Sequence, residues 1–234
     1  MKIIYKDSDS KSIDWAAYSP SIYFDAKEPF FPVRIGVTIF REPGNSPSVI
    51  DRYIDFTNEL TDYVIEYAIY FDYDIGHLYE LEHVWVYIGK DGSVVDAEAS
   101  FHGWYFKALL KDHSNLENDT HVRLYSQPGK HAFAPMIELM ELVPNLHRAA
   151  YEEAGDGGLL VPEIFKGDFE TNDEINGMVT NYLQGRKFRP SLKFVRYSIP
   201  HNLYTTWNEL YNEIPERIKA RIGELRRDQG VASG

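Results

Sequence analysis

A chain of 234 residues with 24 Lys and Arg against 36 Asp and Glu carries a formal charge of −12, which argues against nucleic acid and anionic membrane surfaces as general partners. Cysteine is absent, so disulfides, thiolate nucleophiles and cysteinyl metal sites are excluded, and a reducing cytoplasm is the expected location, with secretion left open because a secreted bacterial protein can also lack cysteine. The hydrophobic share of 44% suits a packed core, and the aromatic share of 15% points to a strand-rich interior or an aromatic-lined cleft.

Met1–Ser10 has an apolar stretch too short for a signal segment, and no run is long enough to span a membrane, so no transmembrane segment is expected. Residues 1–20 read as a polar surface arm. Val33–Phe40 follows Pro29 and Pro32 and reads as a strand, and Glu42–Ser48 reads as a loop. Val64–Asp74 and Glu82–Ile88 are β-branched and aromatic, hence strands. The Gly89–Gly92 turn joins the second of these to Ser93–Phe101, and Val122–Ser126 is a further short strand. Beyond Pro135 the period becomes helical. Asn145 is placed as an N-cap, and Thr205–Arg227 carries apolar residues at three- and four-residue steps, with Pro215 expected to kink or split it. The expectation is one domain over 1–234, an α+β and mainly β fold. An antiparallel β-sandwich core would occupy about 21–135, with peripheral and C-terminal helices over about 136–234.

The segment Phe71–Glu82 concentrates Asp72, Asp74, His77, Glu80 and Glu82 where one strand ends and the next begins. Carboxylates with an imidazole suit a divalent cation. Glu80 and Glu82 share strand parity with Val84, Val86 and Ile88. If those three face the core, both carboxylates point toward the interior end of the sheet. Buried carboxylates need a cation, an arginine or shared protons. His102, in Ser100–Trp104, and His131, in Ser126–Pro135, follow strands beside glycine and aromatic residues, where a histidine also serves as a structural group. Asp96 and Glu98 read as a wet face. Gly155–Gly158 lacks the context of a phosphate loop, and neither a Gly-x-Ser-x-Gly elbow nor a His-Glu-x-x-His pair occurs.

Gly76–Glu82 running into His83–Val86 resembles the Gly-His-Arg-His-Asp-Trp-Glu heptapeptide of the necrosis- and ethylene-inducing cytolysins. It also resembles the His-x-Gly-Asp-Trp-Glu-His segment of the vacuolar protein sorting-associated protein 62 family. Phe101–Gly103 is similar to a later strand end of both families, and Gly129–Ala132 to the Gly-Ser-His-Ala segment of the second. Glu80, Leu81 and Tyr79 depart from the patterns. The resemblance implies a β-sandwich and a divalent-cation site. Residue by residue it implies His77, Glu80 and Glu82 as ligands, with Asp72 or Asp74 added, and His102 and His131 facing substrate or supporting the ligands.

Two functions follow as expectations. The first is a divalent-metal-binding β-sandwich recognising a small polar ligand such as a glycan or lipid headgroup. Calcium or magnesium is favoured, and zinc or manganese if two histidines join. The alternative is a hydrolase at the same site, either metal-dependent or using the Glu80/Glu82 carboxylate pair, with His102 and His131 assisting.

Overall fold

The computed structural model of the protein describes residues 4–5 and 13–231, with side chains over 13–228. The strands used below are β1 (Ser21–Asp25), β2 (Arg34–Phe40), β3 (Thr61–Tyr73), β4 (His77–Gly89), β5 (Val94–Phe101), β6 (Trp104–Lys107), β7 (His121–Ser126), β8 (Phe133–Ala134), β9 (Gly158–Leu159), β10 (Phe194–Tyr197) and β11 (Tyr204–Thr206), beside several two-residue strands. The helices used below are α1 (Leu146–Tyr151), α2 (Asp173–Gln184) and α3 (Trp207–Val231).

The larger sheet has the order β6-β5-β4-β3-β2-β11, with β9 beside the start of β4. The smaller sheet places β7 between β1 and the two-residue strand Leu116–Glu117, β10 on the far side of β1, and β8 against β7. Ile22, Phe24, Ile65, Ile69, Val84, Val86 and Leu124 fill the space between the sheets. On the opposite face of the larger sheet, Ala68 and Tyr70 pack with Val179 and Leu183 of α2 and with Leu210, Ile214 and Ile218 of α3. Being covered on both faces explains why β3 is apolar almost throughout instead of alternating. The result is a mainly β sandwich with a C-terminal helix. No helix among the described residues is long and apolar enough to cross a membrane.

Several details differ from expectation. Most pairs are antiparallel, but β7 runs parallel to β1, β9 to β4 and β11 to β2. The helix-rich end returns β10 to the smaller sheet and β11 to the larger one, so the sandwich is completed by residues beyond 136. Much of the proposed N-terminal arm lies outside the described residues. Of the described part, Ile13 and Trp15 are buried in the inter-sheet core. Asn145 has a left-handed backbone and makes no side-chain cap. Helix α3 passes through Pro215 without ending, because its apolar stripe from Trp207 to Leu225 is anchored on the sheet on both sides of the proline.

The hairpin between β3 and β4 is far tighter than the sequence suggests. His77–Leu81 belongs to β4, and Phe71 faces Glu80 and Tyr73 faces Leu78 across the pair. Only Asp74–Gly76 turns the corner. Segment 155–160 braces it, with Gly155 N–H on Ile75 O (2.9 Å) and Gly157 N–H on Gly76 O (2.9 Å). Gly155 sits at φ 81°, and a Cβ there would lie 2.7 Å from Thr180 Cα. Gly155→Ala is therefore expected to destabilise the fold by about 2–4 kcal/mol. Urea denaturation checks this, and an unchanged midpoint would contradict it.

Candidate metal centre

Asp74 organises the corner. Its Oδ1 accepts from Gly76 N–H (2.6 Å) and His77 N–H (2.5 Å), while Asp74 N–H bonds His77 O (3.0 Å). This is an Asp-initiated turn, and it holds His77 at the first position of β4. The His77 ring donates from Nδ1 to Tyr79 O (2.7 Å), leaving the Nε2 lone pair free to bind a cation. Tyr79 is left-handed (φ 81°), and Leu78 and Tyr79 both enter the helix-side cluster, so alternation is interrupted there. Glu82 recovers the parity of Val84 and Val86, as expected, and is buried.

Asp74, His77 and Glu80 each offer a ligand atom, and the three atoms lie within 4.8 Å of one another. His77 Nε2 stands 3.8 Å from Glu80 Oε2. Glu82 accepts from Ser100 Oγ beside them. Lys130 Nζ lies 2.5 Å from Asp74 Oδ2. Burial holds the His77 imidazole below its ordinary value against the opposing pull of Asp74, which keeps it neutral and fit to ligate. Burial pushes the Glu80 carboxyl well up, reinforced by Glu82 and Asp74. It lifts Glu82 to about 8, against the Ser100 hydrogen bond. Asp74, the His77 imidazole with its free nitrogen and Glu80 form a donor set suited to a divalent ion, which would take the place of the Glu80 proton, with Glu82 beside them. Left protonated, Glu82 is equally able to donate a proton.

The cluster lines a cavity of about 450 Å³. His102 and Ser100 are on its walls, with Tyr79, Tyr105, Leu160 and Ile164 forming apolar surfaces and the Ser48–Ile50 loop on one side. His102 Nε2 is engaged with Gln127 Oε1 (2.6 Å).

Two sequence-derived candidates are placed elsewhere. Asp72 is not with the cluster, because strand alternation turns it to the helix face. There it forms ion pairs with Arg217 and Arg221 of α3, each at 3.0 Å. Asp74 takes the position at the cluster. His131 is wholly buried, stacked on Phe71 (centroids 3.9 Å apart) with Nε2 3.3 Å from Glu28 Oε1, and does not line the cavity. Its left-handed backbone (φ 62°) sends the ring inward while Lys130 reaches the acids. Asp96 and Glu98 meet Lys107, and Glu98 also meets Arg52, so both lie off the cavity. Lys130 and Ser100 are the residues that sequence reasoning passed over. Both lie in the quoted His131 and His102 segments, where attention fell on the imidazoles.

No protein-family model matches the chain, and no curated protein matches it. Among solved structures it is similar to NLPPya in complex with glucosamine, at 15% identity and a TM-score of 0.34. That match covers 51% of this chain and 63% of the other. NLPPya in complex with mannosamine gives 18% identity, a TM-score of 0.34 and the same coverage. A structure described as "Toxin fold as basis for microbial attack and plant defense" gives 17% identity and a TM-score of 0.32, covering 51% of this chain and 65% of that one. The chain thus spans less than two thirds of the length of these structures.

Proposed function

We propose that this protein binds a divalent cation through Asp74, His77 and Glu80 and recognises a small polar ligand, such as a glycan or lipid headgroup, in the cavity above them. The observation that supports this reading is the meeting of three donor atoms within 4.8 Å at the wall of an open cavity of about 450 Å³. Three protein donors leave coordination positions for ligand hydroxyls, which is the chemistry a bound cation would supply. Glu82, Ser100 and His102 offer hydrogen-bonding groups around it, and Tyr79 and Tyr105 offer ring faces for an apolar side of the ligand. One imidazole in an otherwise oxygen-rich set favours magnesium or calcium over zinc.

Calorimetry on metal-stripped protein with Mg²⁺, Ca²⁺, Mn²⁺ and Zn²⁺ tests the reading, followed by glucosamine and mannosamine as probe ligands with and without the cation. His77→Ala removes a direct ligand and is expected to lower cation affinity by more than the roughly 10- to 100-fold that losing an outer-shell partner costs, with the fold intact. Wild-type protein that takes up none of the four ions at millimolar concentration would reject the proposal.

A further inference from the structure

Lys130 occupies the one oxygen of Asp74 that a cation could take. Oδ1 is already committed to two backbone N–H groups and builds the turn. Oδ2 holds the Lys130 ammonium at 2.5 Å. That ammonium is packed over Gly76, where an added Cβ would lie 2.6 Å from Nζ and the lysine tip would have to shift.

The backbone that carries Lys130 is fixed to the same corner. Lys130 N–H and His131 N–H both donate to Gln127 O (3.1 and 2.9 Å). Ile75 N–H donates to Gly129 O (2.7 Å), and Gly129 N–H donates to the buried Glu28 carboxylate (2.7 Å). The Lys130 side chain is 23% exposed and lies at the junction of two cavities. The second, of about 500 Å³, is lined by Gln127 and by Glu153, which pairs with Arg148. Lys130 lines both cavities, so its side chain borders a second space besides the acid corner.

We propose that Lys130 is a tethered competitor for the cation site and determines which cations it accepts. A divalent ion binds only by displacing the ammonium from Asp74 Oδ2 into the second cavity. This inference rests on the cation reading above. A monovalent ion or a free organic amine has no charge advantage over an ammonium held in place at high effective concentration. A doubly charged ion gains about twice the attraction from the Asp74 carboxylate. The site is therefore selective for divalent ions and weaker than its donor set alone would make it.

Lys130→Met and wild-type protein are compared by calorimetry with MgCl₂, CaCl₂ and MnCl₂, with circular dichroism confirming the fold. The variant is expected to bind about tenfold more tightly or better, since one positive charge beside the ion is gone. Independently, wild-type protein is acetylated with and without saturating cation and read by mass spectrometry. Lys130 is expected to react faster with the ion bound, while the exposed Lys219 is unchanged. If wild-type binds and Lys130→Met binds equally or less well, or if Lys130 labelling does not rise, the competitor role is wrong and the cation site stands. If neither protein binds, both proposals fall. Should the variant not fold, the wild-type labelling decides alone.

Discussion

Asp74→Ala is expected to abolish cation binding and to lower stability by about 2–4 kcal/mol, whereas Asp74→Asn should recover most of the stability and none of the binding. The side chain is fully buried and holds three donors: two backbone N–H groups and the Lys130 ammonium. Alanine removes the acceptor from all three and leaves the N–H groups of Gly76 and His77 unpaired at a corner that β9 also grips. Asparagine keeps an oxygen for the turn but presents an amide to Lys130 and no charge to a cation. Urea denaturation and calorimetry on the two variants separate the effects. Asparagine binding cations as wild-type does, or alanine matching wild-type stability, would show that Asp74 does not join the turn to the site.

Much of this corner could be read from the residues, and the reason lies in parity. Val84, Val86 and Ile88 announce the inward face of β4, and counting back by two reaches Glu82. The choice between Asp72 and Asp74 stayed open because the deciding partners of Asp72, Arg217 and Arg221, lie on a helix far away in sequence. Alternation alone separates Asp72 from Ile69 and Phe71 on the inter-sheet face, but it does not show that the other face is covered by α3. The same blindness applies to Lys130. A lysine in a turn reads as solvated until the Gly76 corner is known to lie beneath it. Of the two outcomes read for Pro215, a kink or a split, the split does not occur: a local rule against proline in a helix is outweighed by packing of Leu210, Ile214 and Ile218 on the sheet. The strand-rich interior was visible because β-branched and aromatic residues crowd 61–101, whereas parallel partners such as β9 and β11 are two- or three-residue strands with no period to read.

Glu66→Ala is expected to cost about 2–4 kcal/mol and to loosen the cavity wall, and Glu66→Gln is expected to change how stability depends on pH. Glu66 has no exposed surface, yet its two oxygens accept from Ser46 Oγ (2.6 Å), Ser48 Oγ (2.7 Å) and Trp85 Nε1 (2.7 Å). Through the two serines it ties the 42–58 loop to the outer face of the larger sheet, and Ser48, Val49 and Ile50 of that loop line the cavity. Alanine strands the buried indole N–H, so amide exchange at Val49 and Ile50 should accelerate. Cation affinity at Asp74 should not change. Burial pushes the Glu66 carboxyl above its ordinary value of 4.5, against the pull of its three donors. The folded protein then keeps a proton that the unfolded chain has released, so stability falls as pH rises from 4.5 toward the raised value. Glutamine cannot titrate and retains a carbonyl for the donors. Wild-type should therefore lose melting temperature relative to Glu66→Gln as pH rises from mildly acidic to neutral. A gap between the two that stays constant with pH would mean that Glu66 is ionised in both states, and that its three donors outweigh the cost of burying its charge.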